Sequence, residues 1–236
     1  MKNEQTAMQQ CKELERISVL EAQIAELQEQ MSFVSTFWSF SLDAQIVDLQ
    51  NELTEANKRC EVLHNLVFST LSSGDLAKYL SQLRDYSLYF QLLPILTQRF
   101  LVILTVKDTP GDCMPTNILK NILDAKFTNF RTDLWRTYVG VIAKGEVLCD
   151  TFAEMEQRCF YTYKDLVKQD FSFTARSEPW RNGNRGDIII NGKDYAVNQR
   201  GVNIVIYDLE QRRVIDSVAF DSHDESEITF RRRGEG

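Results

Sequence analysis

The sequence predicts an α+β protein: a long N-terminal helical coiled coil and a helical bundle, followed by a small, mostly antiparallel β unit. Three observations lead there. Apolar residues step by three and four between Ile17 and Val67, the alternation of a helical seam. The loop "KDTPGDCMPTN" at 107–117 separates segments that also read as helical. After Asp170 the composition turns to β-branched runs punctuated by turn residues. The expected domains are 1–73 (coiled-coil helix), 74–170 (helical bundle) and 171–236 (β unit).

The seam has two registers. The first is Ile17, Leu20, Ile24, Leu27, Met31, Val34 and Trp38; the second is Ile46, Leu49, Leu53, Ala56, Cys60, Leu63 and Val67. One residue is skipped between them, in the aromatic stretch "FVSTFWSFSL". Read as one helix, residues 10–70 would span about 90 Å at 1.5 Å per residue. Ile at a with Leu at d favours two parallel strands, so a homo-oligomer through residues 17–67 is expected. The alternative is a helix folded back onto its own chain. "SSGD" at 72–75 closes this segment, with Ser73 or Asp75 as a cap for the next helix. Residues 75–105 read as two helices broken before Pro94. Helices resume near Thr116 and run to about Gln169, with Leu134, Tyr138, Val141, Val147, Phe152, Met155 and Phe160 as an apolar stripe. Trp135, Tyr161 and Tyr163 are read as bundle core.

The β unit opens with "FSFTARSEPWRNGNRG" and continues through "DIIIN", Asn191-Gly192, "DYAV", "VNIVIYD" and "RVIDSVAFD". Asn-Gly between β-prone runs is a strong hairpin signal, which makes Gly192 a turn residue. Val202, Ile204 and Ile206 alternate with Asn203, Val205 and Tyr207. Gly201 supplies backbone freedom where the strand begins, Asn203 satisfies a neighbouring backbone group, and Asp221 can accept from Arg200 across the sheet.

Over residues 186–222, "GDIIINGKDYAVNQRGVNIVIYDLEQRRVIDSVAFDS" resembles the interleukin-like EMT inducer domain family, through "RGVNIVIYD", the hairpin and the closing "FD". That β-rich module occurs in secreted cytokine-like proteins and in a glycosyltransferase stem, where it binds sugar. The resemblance implies a carbohydrate-associated module, set in bacterial surface glycan assembly. The family domain continues well past its "FD", whereas fifteen residues follow Asp221 here. No cysteine lies beyond Cys159 to match the disulfides of the secreted members. The β unit would then be completed by the chain's own helices or by a second chain.

Charge and motifs narrow the chemistry. Residues 1–74 contribute -6 of the net -7, which speaks against generic binding to a phosphate backbone. Nucleic acid is therefore not an expected partner. Five cysteines without a C-x-x-C pair suggest free thiols. The first residues lack the apolar run of a secretory leader, and no stretch approaches the roughly 20 apolar residues of a membrane span. A cytoplasmic location is expected. Nucleotide motifs are absent, and the two histidines, His64 and His223, offer no nucleophile site; neither catalysis nor a cofactor is expected. Asp221, His223 and Asp224 are candidate ligands for a divalent cation, set against a solvated acidic tail. "RRR" at 231–233 reads as a solvated basic tip. Trp180, Tyr195 and Tyr207, with Asn182, Asn184 and Asn198, are the candidate ligand-binding set: aromatic faces for sugar rings, amides for hydroxyls. The expected function is a non-catalytic carbohydrate-associated binding or assembly module. The alternatives are a coiled-coil scaffold without a small ligand and a glycosyltransferase-associated enzyme.

Overall fold

The computed structural model describes residues 16–26, 28, 45–56, 58, 68, 70–111, 114–132, 135–153, 157–165, 170–221, 223 and 229–234. The chain divides into two compact units, residues 1–71 and 72–236.

In the first unit, residues 16–26 and 45–56 are α-helical. The seam residues are the inward side of these helices: Leu20, Ile24, Ile46 and Ala56 are buried, and Ile17, Leu49 and Leu53 are half-buried. The single long helix does not form. Arg16 Nη2 lies 3.1 Å from Glu52 Oε2, whereas residues 36 apart on one helix would be separated by about 54 Å. The two helices meet side by side, and the expected N-terminal coiled coil is replaced by short helices. Self-association through residues 17–67 rested on that continuous helix. A three-four alternation records one apolar face; it does not say whether another chain or a later helix covers it. Leu27, Met31, Val34, Trp38, Cys60, Leu63 and Val67 lie outside the described residues.

The second unit is dominated by strands, not by the helical bundle expected for residues 74–170. Among its described residues, three α-helices, α1 (Ser73–Gln82), α2 (Tyr86–Arg99) and α3 (Thr116–Asp124), accompany ten strands. These are β1 (Leu101–Lys107), β2 (Thr137–Ala143), β3 (Glu146–Ala153), β4 (Cys159–Lys164), β5 (Ser172–Glu178), β6 (Arg185–Ile190), β7 (Lys193–Asp194), β8 (Gly201–Asp208), β9 (Arg213–Asp221) and β10 (Thr229–Arg232). One antiparallel sheet has the order β10-β9-β8-β1-β2-β3, the other β4-β5-β6-β7. The β unit expected to begin at residue 171 thus shares its larger sheet with β1, β2 and β3.

Local chemistry sets the element ends. Ser72 caps α1 by accepting from the Asp75 N–H at 3.1 Å, while Ser73 donates to Asp208 Oδ2 at 2.5 Å. Asp85 caps α2 through Ser87 N–H at 2.7 Å and Leu88 N–H at 3.3 Å. The helix break therefore falls at 83–85, and α2 continues through Pro94. Asn191 and Gly192, both at positive φ, form a two-residue hairpin between β6 and β7, and Lys144-Gly145 does the same for β2 and β3.

The sheets and helices make three layers. Tyr89 and Phe90 of α2 meet Phe220 of β9, with ring centroids 5.4 and 4.5 Å apart. Phe127 and Phe130, following α3, edge onto Tyr138 of β2. On the opposite face of the large sheet, Leu101, Ile103, Val139, Val141, Val205 and Tyr207 join Phe173, Ala175, Ile188 and Ile190 of the small sheet in one core. β1 and β8 are therefore covered on both faces. That is why "LVILTV" and "TYVGVIA" show no strand alternation and read as helix: full burial removes the period of two.

A bulge in β9 opposite Ile206/Tyr207 shifts the register. It leaves Val214 opposite inward-facing Tyr207 and turns Asp216 towards the helices, opposite Ile206. There Asp216 Oδ1 accepts from Arg232 Nε at 2.9 Å, and Arg232 Nη2 donates to the Leu80 carbonyl at 2.6 Å. Arg232 Nη1 also reaches the Ser81 and Leu83 carbonyls at 3.4 Å. The expected solvated tip at 231–233 thus contains a buried cation that satisfies carbonyls left over at the end of α1. Replacing Arg232 alone strands a buried carboxylate. Arg232→Met is expected to lower unfolding stability by about 3–5 kcal/mol in urea titrations. Adding Asp216→Leu should recover most of it; a single-variant loss below about 1 kcal/mol would rule out the pair as a staple.

Candidate functional site

The two ends of the sandwich carry different chemistry. At the first end meet the last residues of β1, β5 and β9 and the first of β6 and β8. Gly201 (φ 90°) closely approaches the Phe220 carbonyl, leaving no room for a Cβ. Asn203 is fully buried; it accepts from Gln199 N–H at 3.2 Å and donates to the Gln199 carbonyl at 2.8 Å, fixing the turn before β8. Arg200 Nε donates to both Asp221 oxygens at 3.1 and 3.0 Å, with Nη2 3.0 Å from Oδ2. His223 N–H also donates to Asp221, at 3.2 Å. Asp221 is thus engaged within the protein; Asp224 lies outside the described residues. No group of three potential metal ligands occurs among the described residues.

Other predicted residues are also placed by this end. Asn198 Oδ1 accepts from Gly186 N–H at 3.3 Å, and its Nδ2 donates to Asp187 at 3.3 Å. Trp180, Asn182 and Asn184 lie on or beside the 3-10 turn Trp180–Asn182 between β5 and β6, with Trp180 exposed. Tyr195 packs beside the sandwich core under Lys193 and Arg233, whose cations lie 5.1 and 5.6 Å from its ring. Tyr207 and the Gly192 turn belong to the opposite end. The expected aromatic-amide set therefore does not converge.

One residue at the first end carries no sequence motif. Asp108, just past β1, takes φ 70° and is buried, and its Oδ1 has no hydrogen-bond partner among the described residues. Burial pushes its carboxyl up and the Asp221 charge adds to this, against Arg200, His223 and Lys107.

The opposite end opens into a cleft of about 360 Å³. Leu101, Ala143, Leu148 and Leu209 give it an apolar floor, and Tyr163, Phe171 and Phe173 an aromatic wall. Tyr163 stacks on Phe173 at 5.4 Å with planes 15° apart. Tyr207, 3% exposed, stacks behind Phe171 at 5.3 Å. Tyr207 thus supports the wall from within the core. Glu146, Asp165, Asp170 and Arg212 supply the polar lining, with Arg212 Nη2 donating to Asp170 Oδ2 at 2.6 Å. Three carboxylates against one guanidinium favour a neutral or cationic guest over an anion. The Asp165 N–H closes the adjoining loop by donating to the Phe171 carbonyl at 2.9 Å.

Sequence reading missed this cleft because Tyr163 and Phe171 were assigned to different domains. The available signal was "CFYTYK", whose alternation puts Tyr161 and Tyr163 on one face of a strand. Compared with known proteins, the chain matches no family model, no curated protein and no solved structure. No helix among the described residues is long and apolar enough to cross a membrane.

The raised Asp108 carboxyl has a defined pH signature. Its folded pKa lies above the unfolded value, so unfolded chains lose the proton first. Stability should fall as pH rises from about 3.9 through the folded pKa. Asp108→Asn keeps the shape, tolerates positive φ and carries no titrating group. The difference in unfolding free energy between variant and wild type should grow in favour of the variant over that window. A pH-independent difference would show that Asp108 does not titrate as described.

Proposed function

We propose that the protein is a non-catalytic carbohydrate-binding module that holds a neutral mono- or disaccharide in the cleft between Tyr163, Phe171 and Arg212. The observation that carries this reading is an aromatic wall facing carboxylates in one cleft. Sugar C–H faces stack on aromatic rings while hydroxyls donate to carboxylates and accept from a guanidinium. The volume is at the lower end of the roughly 300–1,000 Å³ of small-molecule sites. The resemblance of residues 186–222 to the interleukin-like EMT inducer domain, known to bind sugar in a glycosyltransferase stem, supports the same ligand class. So does the surplus of carboxylates, which disfavours phosphorylated or uronate sugars. We read the setting as glycan assembly in a reducing, cytoplasmic compartment, to which the free thiols of Cys149 and Cys159 are suited.

Ligand-observed NMR against neutral sugars, amino sugars and uronates, followed by calorimetry, tests this. At least one neutral or amino sugar should bind, and uronates should bind more weakly. Tyr163→Ala and Phe171→Ala should each weaken binding about tenfold, about 1.4 kcal/mol, without loss of fold by circular dichroism. Binding that survives both substitutions, or no binding across the panel, would refute the reading.

A further inference from the structure

The outer face of the small sheet has the opposite charge character. By the strand register, Phe160, Arg176 and Asp187 form one row across it, and Glu178 and Arg185 lie in the next. The two carboxylates are each 5% exposed. Arg158 Nε stands 3.4 Å and Arg176 Nη1 3.9 Å from Glu178 Oε1. Arg176 Nε donates to Asp187 Oδ2 at 3.0 Å, and Arg185 Nη1 stands 4.0 Å from the same oxygen. Buried acids thus hold a layer of guanidiniums whose outer sides reach solvent: the Arg158 and Arg185 side chains are 59% and 56% exposed. Exposed Arg181 lies in the Trp180–Asn182 turn, and Gly183 just after it packs against the Glu178 carboxylate. Asp194, opposite Ile189 on the same face, also acts on Arg176, so four cations stand over three anions, a small local excess of positive charge.

The same region holds two exposed rings. Phe160, 64% exposed, and Trp180, 60% exposed, are the most exposed large apolar side chains among the described residues. Phe160 lies directly across from Arg176, and Trp180 is in the turn that holds Arg181. Exposed rings beside fixed guanidiniums mark an interaction surface. An acidic polypeptide would pair the arginines and leave the rings wet. A duplex would present phosphates but keep its base faces stacked.

We propose that this face binds a single-stranded nucleic acid, with bases stacked on Phe160 and Trp180 and phosphates paired with Arg158, Arg176, Arg181 and Arg185. Stacking on aromatic side chains tolerates any base, and an arginine has five donors to share between a buried carboxylate and a phosphate. The net charge of -7 does not oppose this, because residues 1–74 account for -6 of it. The expectation that nucleic acid is excluded came from that acidic segment, not from this face. The proposal is independent of sugar binding in the cleft.

Fluorescence anisotropy on the full chain tests it with three labelled probes: a 12-nucleotide thymidine strand, an abasic strand of the same length, and a 12-base-pair duplex. The thymidine strand should bind best, and its log affinity should fall against log salt with a slope of about -2 to -3, as expected for three to four phosphates. The abasic strand should bind at least tenfold more weakly. Phe160→Ala and Trp180→Ala should each weaken thymidine-strand binding at least fivefold while leaving the abasic strand unaffected. Arg158→Ala with Arg185→Ala should weaken both strands. If that pair unfolds the protein, the two aromatic variants decide, since their side chains are solvent-exposed. Equal binding of abasic and thymidine strands would reassign the face to polyanions or acidic polypeptides. Tighter binding of the duplex, or no binding at 50 mM salt, would also overturn the proposal.

Discussion

The second unit is organised around one constraint: the central strand pair β1–β8 has no face available to water. Seven residue pairs from Leu101↔Tyr207 to Lys107↔Gly201 join the two strands, and apolar side chains project from both sides. A pair of that kind demands two covering layers. Helices α1, α2 and α3 supply one, the small sheet the other. The polar devices within the layers serve the same end. Thr105 donates to the Gly186 carbonyl at 3.1 Å, Ser177 donates to the Val106 carbonyl, and Asn203 closes the turn before β8. Each satisfies a backbone group that the covering layers remove from solvent.

How much of this the sequence disclosed depended on which physical signal was local. Turn chemistry was legible: Asn191-Gly192 and Gly201 can be assigned from their neighbours because positive φ is a property of one or two residues. The inward faces of residues 16–26 and 45–56 were legible for the same reason. Partner identity was not. An apolar stripe carries no label for what covers it, so two short helices were read as one continuous helix. Doubly buried strands were the other failure. β1 and β2 lack alternation, and Tyr138 and Val141, three residues apart, passed for one helical face although they project to opposite faces of β2. Of the site residues, Arg200, Asn203 and Asp221 are neighbours in sequence or in register. The cleft draws on the ends of five strands and on the turn between β8 and β9, and could not be read from any one segment.

The molecule separates two charge environments with a single four-stranded sheet. Its inner residues Phe173 and Tyr163 turn towards a cleft rich in carboxylates, while Arg176 and Phe160 of the same strands turn outwards into a layer of guanidiniums. Alternation along a strand is sufficient to do this: one side chain faces each way, and the buried acids Glu178 and Asp187 compensate part of the outer charge locally. Substitutions on one face therefore leave the chemistry of the other largely in place.

The distance in sequence between the two central strands also bears on biosynthesis. β1 is complete at Lys107, and its partner β8 does not begin until Gly201. At about 5–20 residues per second of synthesis, the interval is roughly 5–20 s. Once β2 is complete at Ala143 and until β8 appears, "LVILTV" has β2 on one edge and none on the other. An open, apolar edge of that kind is a template for pairing with other chains. The hairpin of β2 and β3, and α2 immediately upstream, are available early enough to shield it, which gives these peripheral elements a protective part in the nascent chain.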